Sequence, residues 1–544
     1  MKKEHQDIYI NVITMVLGAV LFVAIYGINV LNPTYDDWLL GKGDLTQHYL
    51  GWCFYRRSDW TFPIGLTNQL AYPTYTSVIF TDSIPLLAVL FKVLSPILPD
   101  TFQYFGWWGL ACFMLQGYFA VKILREFSVG KLQAVFGSVF FTVAPVIIER
   151  MFRHTALGGH WIILASIYLF AMHRREAYRN VLKTSVYWGI VGGLIASVHL
   201  YFLPMCGMFL IGYILCSFIR EKRVQIKYIL PGITFSVCLF GVTYILGGFS
   251  SHANFTDAGL GDCSFNLNGL INSKGYSRIF NALPTYTDGQ YEGFAYLGLG
   301  ILILLLPALF YFMISIRKIN KVTWLYGSMY LLISIGLIIF AASPVVSFND
   351  KFLFRITDSS TLTHYWSIFR STGRIIWPVC YLIYIGVIIG NDRLWNNYIH
   401  REYLSVILLV ICCSVQIFDI SLKLIEQNKE FAPKKVYGSI LKSEIWDKAA
   451  KHDGVKHVVW VSNSYENKEI LHFAKYAYDN NLTMNNYYFA RGISVRENTQ
   501  KSLDNLNDTC IYIFKNNETE GIKNYNLNFY EADEYIVGTT FALE

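Results

Sequence analysis

The sequence predicts a mainly α, polytopic transmembrane helical bundle of about eleven spans, followed by a small α/β domain. Three observations predict it. The chain of 544 residues is 54% hydrophobic and only 15% charged, whereas a soluble domain carries about 25% charge. Its apolar residues gather in runs of roughly 20, the length that crosses a ~30 Å hydrocarbon core at 1.5 Å per residue. Basic residues collect in alternate connections between those runs, as the positive-inside rule requires. The aromatic content of 17% suits Trp and Tyr side chains at two interfaces. The net charge of +7 is spread over these connections and not clustered on a polar domain. Nucleic acid is therefore excluded as a partner.

Lys2 and Lys3 precede the run 8–31, which puts the N-terminus in the cytoplasm and the exit outside near Asn32-Pro33. The run is too long for a signal-peptide core and lacks a small-residue cleavage site, so it reads as a signal anchor. The external segment 32–102 carries Asp36, Asp37, Asp44, Arg56, Arg57, Asp59 and Asp82, too polar to cross lipid. Within it, the apolar stretch 84–98 lies on or dips into the outer leaflet. Lys122 at the end of the run 102–124, with Arg125 and Lys131 after it, makes that run the inward span. Run 132–148 exits and 161–172 returns to His173-Arg174-Arg175, with Arg179 and Lys183 beyond. Run 184–199 exits and 203–219 returns to Arg220, Lys222, Arg223 and Lys227. Run 228–249 exits into a loop, 250–292, with Asp257, Asp262, Asp288 and Glu292. Run 293–316 returns to Arg317, Lys318 and Lys321, and 323–342 exits into a loop at 343–372. Run 374–389 returns and 403–421 exits. Eleven crossings leave the C-terminus outside.

Residues 1–421 therefore form the transmembrane module and 422–544 an extracytoplasmic domain rich in Asn, Lys, Glu and Tyr. Residues 456–461 and 510–514 read as strands, and 466–480 has helical apolar spacing. There is no G-x-G-x-x-G fingerprint. Ten cysteines are scattered without a C-x-x-C pair, which excludes common zinc and redox sites. No Walker loop, H-E-x-x-H or Ser-His-Asp set is present.

Four stretches carry candidate chemistry. In Gly43-Asp44-Leu45-Thr46-Gln47-His48, Asp44, Gln47 and His48 fall at i, i+3, i+4 and share one helix face. The alternative is a solvated cap on a helix end. In Glu149-Arg150-Met151-Phe152-Arg153-His154, with His160-Trp161 beyond, two arginines and two histidines at a membrane exit suit a phosphate. The alternative is pairing with lipid headgroups or with Glu149. In Phe369-Arg370-Ser371-Thr372-Gly373-Arg374, Arg374 at the membrane boundary calls for a partner, either a ligand anion or a carboxylate such as Asp358. Snorkelling to headgroups is the other reading. In Thr81-Asp82-Ser83-Ile84-Pro85, Asp82 or Ser83 is an N-cap and Pro85 lies in the first turn, with a substrate role for Asp82 as the alternative. Trp52, Trp60 and Tyr72 stack on sugar rings or pack the loop.

This arrangement resembles the GT-C superfamily of polytopic glycosyltransferases over roughly residues 8–225. The likeness lies in one span, a long external loop with Asp44 near its start, the Tyr72-Pro73 turn, a surface helix, a span ending at Arg125 and a turn with Arg150, Arg153 and His154. More narrowly, the sequence is similar to an uncharacterised bacterial family sharing the strings 44–49, 80–85 and 369–374. The resemblance implies a sugar on a polyprenyl phosphate or diphosphate, transferred with inversion to an external glycan, lipid or protein at the bacterial plasma membrane, in the service of the cell envelope. It implies Asp44 as general base and Arg150, Arg153 and Arg374 on the lipid phosphate. Gln47 and His48 orient Asp44 or a sugar hydroxyl, and Asp82, His154, His160 and Arg370 complete the substrate site. Glu149-Arg150 stands where the superfamily has a double-acid motif, so no cofactor is expected and a divalent metal is unsupported. Two other functions compete. A flippase for lipid-linked glycans predicts charged residues deep in several spans, and few are found. A non-catalytic assembly protein predicts that Asp44→Asn changes nothing.

Overall fold

The computed structural model describes residues 2–41, 43–175, 180–250, 259–356, 359–434, 437–461, 468–489, 495–516 and 525–543. Asp257 and Asp358, and Arg179 at the opposite end, lie outside the described residues. Eleven helical segments among those described are long and apolar enough to cross a membrane, and each falls on one of the eleven apolar runs. They are built from α1 (Lys2–Tyr26), α4 (Phe105–Glu126), α5 (Lys131–Thr142) with α6 (Pro145–Arg150), and α7 (Trp161–Met172). Then come α8 (Val181–Val198), α9 (Phe202–Glu221), α10 (Leu230–Ile245), α11 (Leu299–Ser315), α12 (Lys321–Ala342), α14 (Trp377–Arg393) and α15 (Glu402–Glu430). The non-spanning helices of this part are α2 (Asp44–Arg57), α3 (Pro85–Val93) and α13 (Ser360–Ser367).

Lipid tails are as apolar as the side chains, so helix association here rests on close packing rather than on escape from water. Small residues supply it. A Cβ added to Gly18 of α1 would lie 2.4 Å from the Phe113 carbonyl oxygen of α4, and one on Gly192 of α8 would lie 2.4 Å from that of Phe235 on α10. Backbones meet at these points, and any side chain would force them apart.

Alternation of the spans puts the connections after α1, α6, α8, α10 and α12 at one end of the bundle, with the chain after α15. The opposite end is basic and closed by its own bonds. Arg174 and Arg175 donate to the Glu126 carbonyl, Arg220 to that of His173, and Arg175 pairs with the Glu126 carboxylate at 2.6 Å.

The helix α3, nine residues long, is too short to span. Pro85 opens it, and Leu86, Leu90 and Val93 point outward. Its inner face buries Lys92, whose ammonium donates to Ser58 Oγ at 2.9 Å and lies over the rings of Tyr55 and Trp60. The expected side-chain N-cap is not formed, because the cap position falls to Ile84. Ser83 instead donates to the His48 carbonyl at 2.7 Å, and Asp82 sits in a left-handed turn at φ +53°. Gly51 of α2 makes this possible, since a Cβ there would overlap Thr81 and Ser83.

Two small hairpins stiffen the loops, β1 (Leu66–Thr67) with β2 (Thr76–Ser77) and β3 (Val345–Phe348) with β4 (Lys351–Arg355). The C-terminal part carries α16 (Glu444–Lys451), α17 (Ile470–Asp479), α18 (Val495–Asp504) and the strands β5 (His457–Val461), β6 (Thr483–Met484), β7 (Cys510–Lys515), β8 (Asn528–Ala532) and β9 (Tyr535–Thr539). Their order is β6-β5-β7-β9-β8. The β5 strand runs parallel to β6 and β7, while β9 is antiparallel to β7 and β8. This domain sits on the first loop. Tyr72 N–H donates to the Met484 carbonyl at 2.9 Å and Met484 N–H to that of Gln69 at 2.8 Å. Arg57 of α2 donates to the carbonyls of Tyr478 and Leu482.

Candidate active site

Asp44 begins α2, where the free N–H groups and helix dipole favour a negative charge. Thr46 Oγ1 donates to the Leu39 carbonyl at 3.0 Å and pins the turn. The helix then turns Gln47 and His48 inward, both buried. His48 Nδ1 lies 3.3 Å from Thr155 Oγ1, while its Nε2 and the Gln47 Nε2 have no hydrogen-bond partner among the described residues. Burial, reinforced by neighbouring His154, pushes the His48 pKa down to about 3, so the ring is neutral.

His154 links Asp44 to the opposite wall. Its Nδ1 lies 3.8 Å from Asp44 Oδ2, and its Nε2 lies 3.3 Å from Arg374 Nη2 and 3.7 Å from Glu292 Oε1. Burial and the Arg374 guanidinium lower its pKa, and the neutral ring can accept from that arginine. Glu292 is the hub. It accepts from Arg374 Nε at 2.8 Å and from Arg374 Nη2 at 2.7 Å, and it pairs with Arg150 Nη1 at 2.8 Å. Burial alone would raise the Glu292 pKa, but the guanidinium groups of Arg150 and Arg374 hold it well below the usual carboxylate range. Arg150 is fully buried and also donates to the carbonyls of Tyr291 and Glu292.

Glycine sets this meeting. A Cβ on Gly373 would lie 2.7 Å from the Gly293 Cα, so two bare backbones cross and bring the flanking Arg374 and Glu292 together. Aromatic rings hold the guanidinium groups in place, Arg374 over Tyr201 at 4.9 Å and Arg150 over Trp377 at 5.5 Å.

Asp44 is 26% exposed. Burial works to raise its pKa, but His154, Lys468 and His48 outweigh it, and the pKa falls below the ordinary aspartate value. The carboxylate is therefore ionised at neutral pH. Its Oδ1 lies 3.2 Å from Lys468 Nζ, which comes from the C-terminal domain.

The structure thus brings together Asp44, Gln47, His48, Arg150, His154 and Arg374. The other candidates lie around this contact chain, Asp82 close enough to act electrostatically on Arg374 and His160 on Arg150. Arg153 pairs with Glu149, which also accepts from Tyr276, and the arginine is largely exposed. His160 is buried in the bundle, with Nδ1 2.6 Å from Tyr381 Oη and its ring stacked on Trp377. Asp82 pairs with His199 at 3.6 Å, beside Tyr201. Arg370 is half-buried and makes no hydrogen bond or ion pair among the described residues. Of the loop aromatics, Trp52 is buried and donates to the Phe102 carbonyl, Tyr72 stacks on His457, and Trp60 is exposed over Lys92.

Among the described residues, no group of three or more His, Cys, Asp or Glu is set to hold a metal ion. A profile described as a domain of unknown function, DUF6311, matches residues 15–421. The chain belongs to the DUF6311 family. The family's C-terminal domain profile matches residues 445–540, so the gap between the two matches falls around the end of α15. In this DUF6311 chain Asp44 lies in the first matched stretch and Lys468 in the second. No curated protein matches the sequence. Among solved structures, the chain is similar to the crystal structure of the Archaeoglobus fulgidus oligosaccharyltransferase tethered with an acceptor peptide containing the NVT sequon. Identity there is 10% and the TM-score 0.46, over 93% of this chain and 69% of that one. It is also similar to the oligosaccharyltransferase AglB of that organism in complex with an inhibitory peptide and a dolichol-phosphate. In that case identity is 10% and the TM-score 0.36, over 94% and 70%.

Three DUF6311 site residues escape sequence reasoning. Glu292 is visible only as one acid of a polar loop, although an acid beside one span and Arg374 beside another form a complementary pair. Lys274 sits in a left-handed turn at φ +44° and makes no ion pair among the described residues. Burial and Arg150 push its pKa down to about 8, against Glu149 and Glu292. Lys468 belongs to a separate domain and carries no local signal.

Proposed function

We propose that this protein is a membrane glycosyltransferase that moves a sugar from a polyprenyl phosphate or diphosphate to an acceptor on the outer face, with inversion. One observation carries the reading. An ionised, partly exposed carboxylate and a cluster of fixed guanidinium groups converge at one end of a helical bundle, joined through His154.

The acceptor hydroxyl donates a hydrogen bond to Asp44. As its oxygen bonds to the anomeric carbon, the proton passes to Asp44, and the bond from that carbon to the phosphate oxygen breaks on the opposite face. The departing electron pair places negative charge on the phosphate, facing Arg374, buried Arg150 and Lys274. Fixed cations of this kind need no reorganisation as the charge develops. Glu292 cancels one of the two guanidinium charges, so a single net positive charge remains there, and Lys274 adds a second. The unpartnered Gln47 and His48 nitrogens can bond sugar hydroxyls. The basic connections at the opposite end support a cytoplasmic position for it.

The test is turnover. Purified protein in lipid is incubated with a panel of polyprenyl-phosphate and polyprenyl-diphosphate sugars, and release of the lipid phosphate is measured. Asp44→Asn lowers the rate about 10²–10⁴-fold, the usual worth of a general base. No release from any donor, together with donor binding unchanged by Lys274→Met, would sink the reading.

A further inference from the structure

The C-terminal domain does more than cover the first loop. Its docking contacts are specific, and several involve backbone groups. Tyr487 Oη donates to the carbonyl of Gln47, one turn from Asp44, and α17 packs on α2. Lys468 lies just before α17 and projects its ammonium to Asp44 Oδ1 at 3.2 Å. A second observation shows that room is made for it. Gly43 adopts φ +57°, and a Cβ there would lie 3.0 Å from Lys468 Nζ. The residue before Asp44 is therefore bare on the side from which the lysine arrives. The ammonium also lies 5.7 Å from the Tyr488 ring centroid, which limits where it can swing.

We propose that Lys468 is a positioning residue for the reaction at Asp44, holding Oδ1 so that Oδ2 is the oxygen presented to the acceptor. This rests on the glycosyltransferase reading for its consequence, but not for its geometry. The two carboxylate oxygens are differently placed. Among the described residues, Oδ1 has a cation at ion-pair distance, whereas Oδ2 has the neutral ring of His154 at 3.8 Å. Among the described residues, the charged or titratable groups facing Asp44 are these. His48 stands on its own helix, His154 faces it from the connection after α6 with Arg374 and Glu292 behind, and Lys468 faces it from the C-terminal domain. Of these, Lys468 is the cation that touches the carboxylate.

Two readouts on the full-length protein test this. The first is carbodiimide labelling of Asp44 against pH, read by mass spectrometry, which needs no turnover. Carbodiimide attacks the protonated acid, so labelling in Lys468→Ala and Lys468→Glu begins at higher pH than in the wild type, and Lys468→Arg restores the original profile. The second is the pH–rate profile. Its acid limb moves the same way, and kcat falls by up to about 10²-fold, the cost of misplacing a reacting group by ~1 Å. The lysine side chain is half-exposed, so its truncation leaves the fold standing. Labelling and rate profiles unchanged in both Lys468→Ala and Lys468→Glu would overturn the proposal. Should Asp44→Asn keep full turnover, the glycosyltransferase reading fails by itself, and the labelling profile still decides the role of Lys468.

Discussion

Glu292 binds two guanidinium groups where little water reaches, and neither arginine has another carboxylate within ion-pair reach among the described residues. Glu292→Gln leaves two buried charges short of a counter-ion. Such a loss costs about 3–5 kcal/mol. Thermal unfolding in detergent should show a correspondingly lower midpoint than the wild type, while the exposed pair partner Arg153→Ala should change it little. Lys274 gives a pH signature. Burial and Arg150 bring its pKa down to about 8. The cation is present below that pH and lost above it, so donor affinity should hold at pH 7 and fall as pH rises through about 8. Lys274→Arg keeps its charge and should remove the fall, measured by titration with a polyprenyl phosphate. Asp44, Gln47 and His48 were legible because helical spacing alone places them on one face. Glu292 was not, since its role depends on a partner from the connection after α12.

At the level of elements, the crossing of Gly293 and Gly373 decides the geometry of the site. A methyl group at 373 meets the Gly293 backbone nitrogen at 2.8 Å and the Cys263 carbonyl at 2.9 Å, and backbone cannot yield as a side chain can. Gly373→Ala should therefore cost about 1–3 kcal/mol, as overpacking does. It should also reduce turnover more than an equally destabilising change at Gly192, which lies on α8 away from the site. Comparing the two variants at matched stability checks this. The helix α3 was readable as a surface element from its length and Pro85. Its cap was not readable, because the Ser83 hydroxyl is drawn to the His48 carbonyl on a different helix.

The whole bundle was legible for a simple reason. In lipid every backbone polar group must be satisfied within the span, so apolar length alone marks a helix. All eleven runs became helices, with ends differing by up to nine residues, as where the last helix runs on to Glu430. Orientation is testable with single cysteines at exposed loop positions. Phe62→Cys and Tyr286→Cys should react with an impermeant maleimide on intact cells, and Arg223→Cys and Lys318→Cys only after permeabilisation. The docking of the C-terminal domain was beyond sequence reasoning, because backbone pairing such as that of Tyr72 with Met484 leaves no trace in residue type.

That docking also has a consequence for synthesis. Asp44 leaves the ribosome long before Lys468, with nearly all the spans made between them. At about 5–20 residues per second the delay is on the order of a minute or less. Throughout that interval the nascent chain holds its carboxylate without the lysine, so on the proposed reading the carboxylate waits for its positioning partner until the C-terminal domain has been made.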